Sequence, residues 1–207
     1  MPVLHEDDDL IVVDKPAGLL TATSAGSSRP SAHDLLSARR ADTPRLYVVQ
    51  RLDLATSGVL VFAKGEAANR ALARAFRDHA TGREYLAVVR GPFPEGTTTL
   101  TTAVKGKRAI THVSLVERLG RAASVVRCRL DTGRTHQIRV HVRRAGHWIL
   151  GDPRHGQRTA LDPPRLALHA ERLALAHPRT GERLSFSSPW PADLAAWLDG
   201  LRAPVLR

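Results

Sequence analysis

Two short polar segments hold residue types from which a cofactor-independent acid-base or nucleophilic site could be built. Residues 51–58 read Arg-Leu-Asp-Leu-Ala-Thr-Ser-Gly and carry one carboxylate, Asp53, between the apolar runs 46–49 and 59–63. A carboxylate on a short connection beside rigid strands suits a nucleophile or general base. Taken alone, an Asp before Thr-Ser-Gly equally suits a structural turn cap. Residues 130–139, Leu-Asp-Thr-Gly-Arg-Thr-His-Gln-Ile-Arg, concentrate anion-binding groups, with Arg134 and Arg139 the candidates. Arginines of that kind are also ordinary solvated surface charges. Among the ten histidines, His136, His141, His147 and His155 show no recognised ligand spacing, and the lone cysteine offers no pair, so no metal is expected. Cys128, in a strand-like run, is expected in the core.

The surrounding elements must hold these segments. Residues 10–13 form an apolar run closed by Asp14-Lys15-Pro16, which predicts a buried strand ending in a turn, and residues 21–30 predict a mobile loop. Ser31 is placed to cap a helix through about residue 41, with Leu35 and Leu36 facing inward and Arg39 and Arg40 in its last turn. Residues 66–80 repeat Ala68, Leu72, Ala75, Phe76 and His79 at helical spacing, with Arg70, Arg74 and Arg77 on the other side. Strand-like runs at 84–89, 98–104, 110–116, 124–130 and 165–175 predict an antiparallel sheet, and 191–201 a terminal helix with Pro at its first turn. Residues 136–142 alternate Ile138, Val140 and Val142 with polar residues as a strand would, while Thr135 could cap a helix. The class is α+β, expected as one domain over 1–207.

Lys plus Arg number 31 against 20 Asp plus Glu, a formal charge of +11 with a pI near 11.2, which favours a polyanionic partner. General arginine usage would give the same total. One cysteine excludes an internal disulfide, the start of the chain lacks a signal-peptide apolar region, and no run approaches a membrane span. A cytoplasmic protein is expected.

RLDLATSG after an apolar strand resembles the first signature of the RluA-type pseudouridine synthases, and LDTGRTHQIRVH resembles their second. VDKPAGLL near the start, REYLAVVRG, GHWILGDPRHG and LALHAERLALAHP also match, all in the family's order, so the resemblance runs from about residue 12 to 189. It implies the pseudouridine synthase catalytic fold, a largely antiparallel mixed sheet flanked by helices and loops, and it favours a helix over residues 136–142. It also implies isomerisation of uridines in ribosomal or transfer RNA, without metal or cofactor. By the same resemblance Asp53 is the catalytic carboxylate, Arg139 its buried ionic partner, and Tyr85 the aromatic against the target base. Arg51 matches the arginine that fills the space of a flipped base, and Arg134 is a phosphate or loop-orienting candidate. Gln50 stands where the family usually has His, and it cannot titrate.

Arg70, Arg74 and Arg77 are expected to dock RNA. With the motifs beginning almost at once, no separate N-terminal RNA-binding module, no obligate protein partner and a monomer are expected. A non-catalytic RNA-binding module and a general basic nucleic-acid binder are the competing classes. The first would keep its role without Asp53; the second would ignore uridine.

Overall fold

The computed structural model describes residues 1–23, 29–39 and 45–202. Its elements are β1 (Val3–Glu6), β2 (Leu10–Lys15), α1 (Ala32–Ala38), β3 (Leu46–Val48), β4 (Ser57–Lys64), α2 (Gly65–Arg77), β5 (Gly82–Arg90), β6 (Thr97–Leu100), β7 (Thr111–Leu119), β8 (Ala123–Leu130), α3 (Gln137–Arg144), β9 (Leu168–Ala176), β10 (Arg183–Ser187) and α4 (Ala192–Arg202). The class is α+β. The chain divides into two compact units, residues 1–83 with 170–188, and residues 84–169 with 189–207.

In the first unit β4 is the centre, because its run Val59–Ala63 is apolar at every position and is buried throughout. It pairs antiparallel with β2 and β3, while β1 pairs with β2 and β10 with β9. Leu10, Val12, Val59, Val61 and Ala63 form a core with Ala68 and Leu72 of α2 and Leu173 and Leu175 of β9. Each such Leu or Val contributes about 1.5–3 kcal/mol by leaving water. Helix α1 starts where Ser31 predicts it. Asp34 N donates to Ser31 Oγ at 3.2 Å and Ser31 N to Asp34 Oδ2 at 3.1 Å, a reciprocal cap of about 1 kcal/mol.

Four readings in this unit need correction. Leu36 is buried at 3% exposure but its neighbour Leu35 is 42% exposed, since adjacent helical positions lie about 100° apart and only one faces the core. Arg39 is the C-cap of α1 rather than part of its last turn; Arg40 and Ala41 lie outside the described residues. Helix α2 ends at Arg77, leaving His79 exposed with a left-handed backbone, φ 59°. Of the segment read as a mobile loop, Thr21 is buried and hydrogen-bonded, and residues 24–28 lie outside the described set.

Gly58 opens β4 at φ +116°, and a Cβ added there would sit 2.2 Å from the carbonyl oxygen of Ala170. Both the backbone angle and the approach of the neighbouring chain require glycine. Gly58→Ala is expected to destabilise the protein by about 3 kcal/mol or more, read as a lower midpoint in denaturant. An unchanged midpoint would contradict this packing.

Among the described residues, Asp7, Asp9 and His177 bring ligand-type atoms within 4.8 Å of one another. Their lone pairs have protein partners. Arg179 donates to both Asp9 oxygens, at 2.7 and 2.8 Å, and Asp7 Oδ1 accepts the N–H groups of Asp9 and Leu10. His5 lies 2.7 Å and His177 3.2 Å from Asp7 Oδ2. The cluster ties the turn between β1 and β2 to the segment after β9.

Burial raises the Asp7 carboxyl, but the His5 hydrogen bond, the two backbone N–H groups and the His177 charge outweigh it and bring it down to about 2. A depressed carboxylate stabilises fully above its ordinary value of 3.8, and that contribution disappears as pH falls through about 2. Asp7→Asn is therefore expected to flatten the decline of melting temperature across that window. Parallel acid curves for both proteins would contradict the assignment.

In the second unit β5, β8, β7 and β6 lie side by side as antiparallel neighbours. β6 ends at Leu100, short of the run read at 98–104, and Val104 instead pairs with Lys107 in a tight hairpin. α4 buries Leu194 and Leu198, and its Arg202 pairs with Glu117 of β7. Among the described residues no helix is long and apolar enough to cross a membrane.

Candidate active site

Asp53 lies between β3 and β4 on a connection fixed through its backbone. Gly18 N donates to Leu54 O at 2.8 Å, and Thr56 N to the backbone carbonyl of Asp53 at 3.0 Å. The buried Thr21 hydroxyl bridges both backbone groups of Leu52, donating to its carbonyl and accepting from its N–H, each at 3.0 Å. Gln50 donates through Nε2 to Val59 O at 3.3 Å, so this side chain braces the turn against β4. Lys15, fully buried, holds the loop that supplies Gly18 and Thr21 by donating to the carbonyls of Pro16 and Leu19 at 2.9 and 2.8 Å. Asp53 itself is half-buried. Arg51, two residues earlier, is exposed.

The second motif forms a rigid block in the other unit. Gln137 accepts from Thr132 Oγ1 at 2.8 Å and from Arg134 N at 3.0 Å, and it donates to Ile110 O and Thr111 Oγ1, both at 2.9 Å. With all its hydrogen-bonding capacity used, a buried amide specifies one arrangement. The segment is a helix, α3, and its N-cap is His136 in the left-handed region at φ 59°, not Thr135. His136 Nδ1 lies 3.0 Å from His155 Nε2. Burial lowers the His155 pKa, with nearby Arg139 and Arg154 adding to that and Asp152 opposing it.

Arg139, on α3, is buried against Asp152. Its Nε donates to Asp152 Oδ2 at 2.8 Å and its Nη2 to Oδ1 at 2.7 Å, a bidentate fork with one carboxylate. Asp152 also accepts the backbone N–H groups of Arg154 and His155, each at 2.9 Å. Burial opposes ionisation of Asp152, yet the Arg139 bonds and those two N–H groups hold its carboxyl below the usual range. The fork fixes one edge of the guanidinium and so aims the other. Asp152 was not singled out from sequence. Its signal, an acid in GHWILGDPRHG, looks like a loop carboxylate until its burial is seen.

Tyr85 is half-buried on β5, paired across the sheet with Cys128. Cys128 is fully buried, and burial pushes its thiol up to about 12, so it is a core residue. Arg134 is half-buried, its Nε donating to Arg108 O at 3.1 Å. On α2, Arg70 lies 3.3 Å from Glu66, and Arg74 and Arg77 lie 3.4 and 3.6 Å from Asp78. Those exposed pairs contribute about 0–1 kcal/mol to stability, but they offset much of the helix's positive charge. Asp53 and Arg51 therefore belong to the first unit, and Tyr85, Arg134 and Arg139 to the second.

The fold is that of a pseudouridylate synthase. The human RNA pseudouridylate synthase domain-containing 4 structure superimposes with a TM-score of 0.78 over 97% of this chain and 92% of that one, at 22% identity. Residues 9–144 match the RNA pseudouridylate synthase family model. Ribosomal large subunit pseudouridine synthase D of Nitrosomonas europaea is 38% identical over 98% of this chain and 65% of its own length. Its counterpart in Xanthomonas campestris is 40% identical over 99% of this chain and 70% of its own. The chain thus spans about two thirds of these relatives, and it belongs to the RNA pseudouridylate synthase family, whose members are isomerases.

Proposed function

We propose that this chain isomerises specific uridines in ribosomal RNA to pseudouridine, with Asp53 as the catalytic carboxylate. The reaction breaks the bond between base nitrogen and ribose, turns the uracil and rejoins it through ring carbon 5. No group enters or leaves, so an anionic side chain at sugar or base suffices, and no cofactor, metal or obligate protein partner is invoked. Arg139 contributes positive charge to the reaction, and Tyr85 packs on the uracil. Arg51 fills the stack when the nucleotide is extruded, and Arg134 holds phosphate or orients the loop. The protein acts as a monomer in the cytoplasm.

The observation that carries this reading is the Asp53 connection. It is pinned through Gly18, Thr21 and Thr56 beside the buried β4, so the half-buried carboxylate of the family's first motif is carried on a fixed backbone, as a reacting group requires. Ribosomal RNA is favoured over transfer RNA by the names of the relatives above. The test is a pseudouridine map of ribosomal and transfer RNA from cells with and without the protein. Loss of one or a few ribosomal positions, restored by the wild-type gene and not by Asp53→Asn, is expected. An unchanged ribosomal map overturns the substrate assignment.

A further inference from the structure

We propose that residues 101–108, together with α3, form the surface on which the phosphate backbone of a folded RNA docks. This rests on the reading of the chain as an RNA-modifying enzyme and names the place where it holds its substrate. Residues 101–108 and 133–148 contain Lys105, Lys107, Arg108, Arg134, Arg139, Arg143 and Arg144 and no carboxylate.

The structure joins the two segments. Arg144 Nη1 donates to Ala103 O at 2.7 Å and Arg134 Nε to Arg108 O at 3.1 Å, while His141 Nε2 lies 2.7 Å from Thr102 O. Side chains of the motif thus cap the carbonyls of the loop and hold its cations beside their own. Lys105, Lys107, Arg108, Arg143 and Arg144 are exposed, and among the described residues none is ion-paired with a carboxylate. Asp131, at the edge of the block, lies 2.8 Å from His112.

The hairpin tip is itself unusual. Val104 and Lys107 exchange backbone hydrogen bonds at 2.9 and 3.2 Å, with Lys105 at φ 52° and Gly106 at φ 71° between them. Two successive positive φ values define a type I′ turn, in which Asn or Gly is the residue of choice. A lysine there costs about 1–2 kcal/mol, and its exposed side chain recovers nothing by burial. Strain of that kind at an exposed cation points to binding rather than packing.

Phosphate fits this surface better than a protein does. A protein interface would bring an apolar centre, and the large exposed apolar residues among those described, Val3, Leu4, Leu35 and Val116, lie in neither segment. Helix α2, by contrast, sets Glu66 and Asp78 against its three arginines.

The experiment measures binding of an unmodified, structured ribosomal RNA transcript across a salt series. It compares the wild type with Lys105→Asn/Lys107→Gln/Arg108→Gln, which leaves every backbone carbonyl in place. Arg121→Gln/Arg172→Gln/Arg183→Gln, the same loss of charge elsewhere, is the control. The hairpin variant is expected to bind about 10–100-fold more weakly and to reduce the slope of log affinity against log salt by about 2, with the control within about twofold of wild type. Rates at saturating RNA should stay near wild type while KM rises.

Should the triple variant melt lower, Lys107→Glu alone still has to weaken binding. Equal losses from the hairpin and control variants, or a loss from Arg70→Gln/Arg74→Gln/Arg77→Gln with none from the hairpin, overturn the proposal. Binding is read without isomerisation. A hairpin effect in a protein that makes no pseudouridine therefore supports the surface while the functional reading falls, and normal hairpin binding by an active enzyme does the reverse.

Discussion

An Asp53→Asn protein is expected to keep its fold and its hold on RNA while forming pseudouridine more slowly by a factor on the order of 10⁴ or more. Asparagine has the same shape but no negative charge, so it can neither attack the ribose nor take a proton. The fold should survive because asparagine keeps the side chain's shape and the connection around Asp53 is held by bonds at Gly18, Thr21, Leu52 and Thr56. Asp53→Glu keeps the charge and moves it by a methylene. Misplacement of that size costs roughly 10²-fold, so glutamate should fall between wild type and asparagine. Single-turnover rates and thermal melts on the three proteins check both halves. An asparagine rate within tenfold of wild type would remove the carboxylate from the reaction.

Asp152→Ala is expected to cost about 3–5 kcal/mol of stability, the usual penalty for leaving a buried charge without its partner. The side chain of Asp152 is fully buried and that of Arg139 is 7% exposed, so water cannot replace the lost bonds. Function should suffer beyond stability. With the fork gone, Arg139 loses the contact that aims its remaining edge, and kcat should fall while KM for RNA stays within a few-fold. Arg139→Lys keeps the charge but cannot reproduce two parallel bonds, so it should lower kcat in the same way. A protein that loses stability on Asp152→Asn and retains full kcat would confine Asp152 to a structural role.

How much of this was legible depended on whether a residue's setting is local. The strand at β2, the buried β4, the cap at Ser31 and the amphipathic α2 follow from apolar runs and spacing, because each buries its own side chains against a neighbour. The strands β1 and β10 escaped notice because most of their residues are exposed or half-buried, so they lack the apolar alternation of an inward face. Helix α3 defeated both periods, since it buries Gln137, Arg139 and His141 as fully as Ile138 and Val142. Polar residues turn inward there because Thr111, Thr132 and Asp152 satisfy them, and those partners are remote in sequence.

The site divides in the same way. Asp53, Tyr85 and Arg139 stood out through motifs, whereas Lys15 read only as part of a turn closing a strand and Asp152 only as one position in GHWILGDPRHG. Lys15 is fully buried among loop carbonyls that lead to the Asp53 connection. A sequence shows that a charge is present; it does not show which carbonyls or carboxylates have closed around it.

Incubating purified protein with unmodified large-subunit ribosomal RNA, then locating pseudouridine by chemical labelling and primer extension, tests the central claim most directly. Wild-type protein should convert a small set of uridines to near completion without added metal or cofactor, and Asp53→Asn should convert none while still binding the transcript. Conversion by the asparagine variant at the wild-type rate, or none by the wild type on this or any transfer RNA, would contradict it.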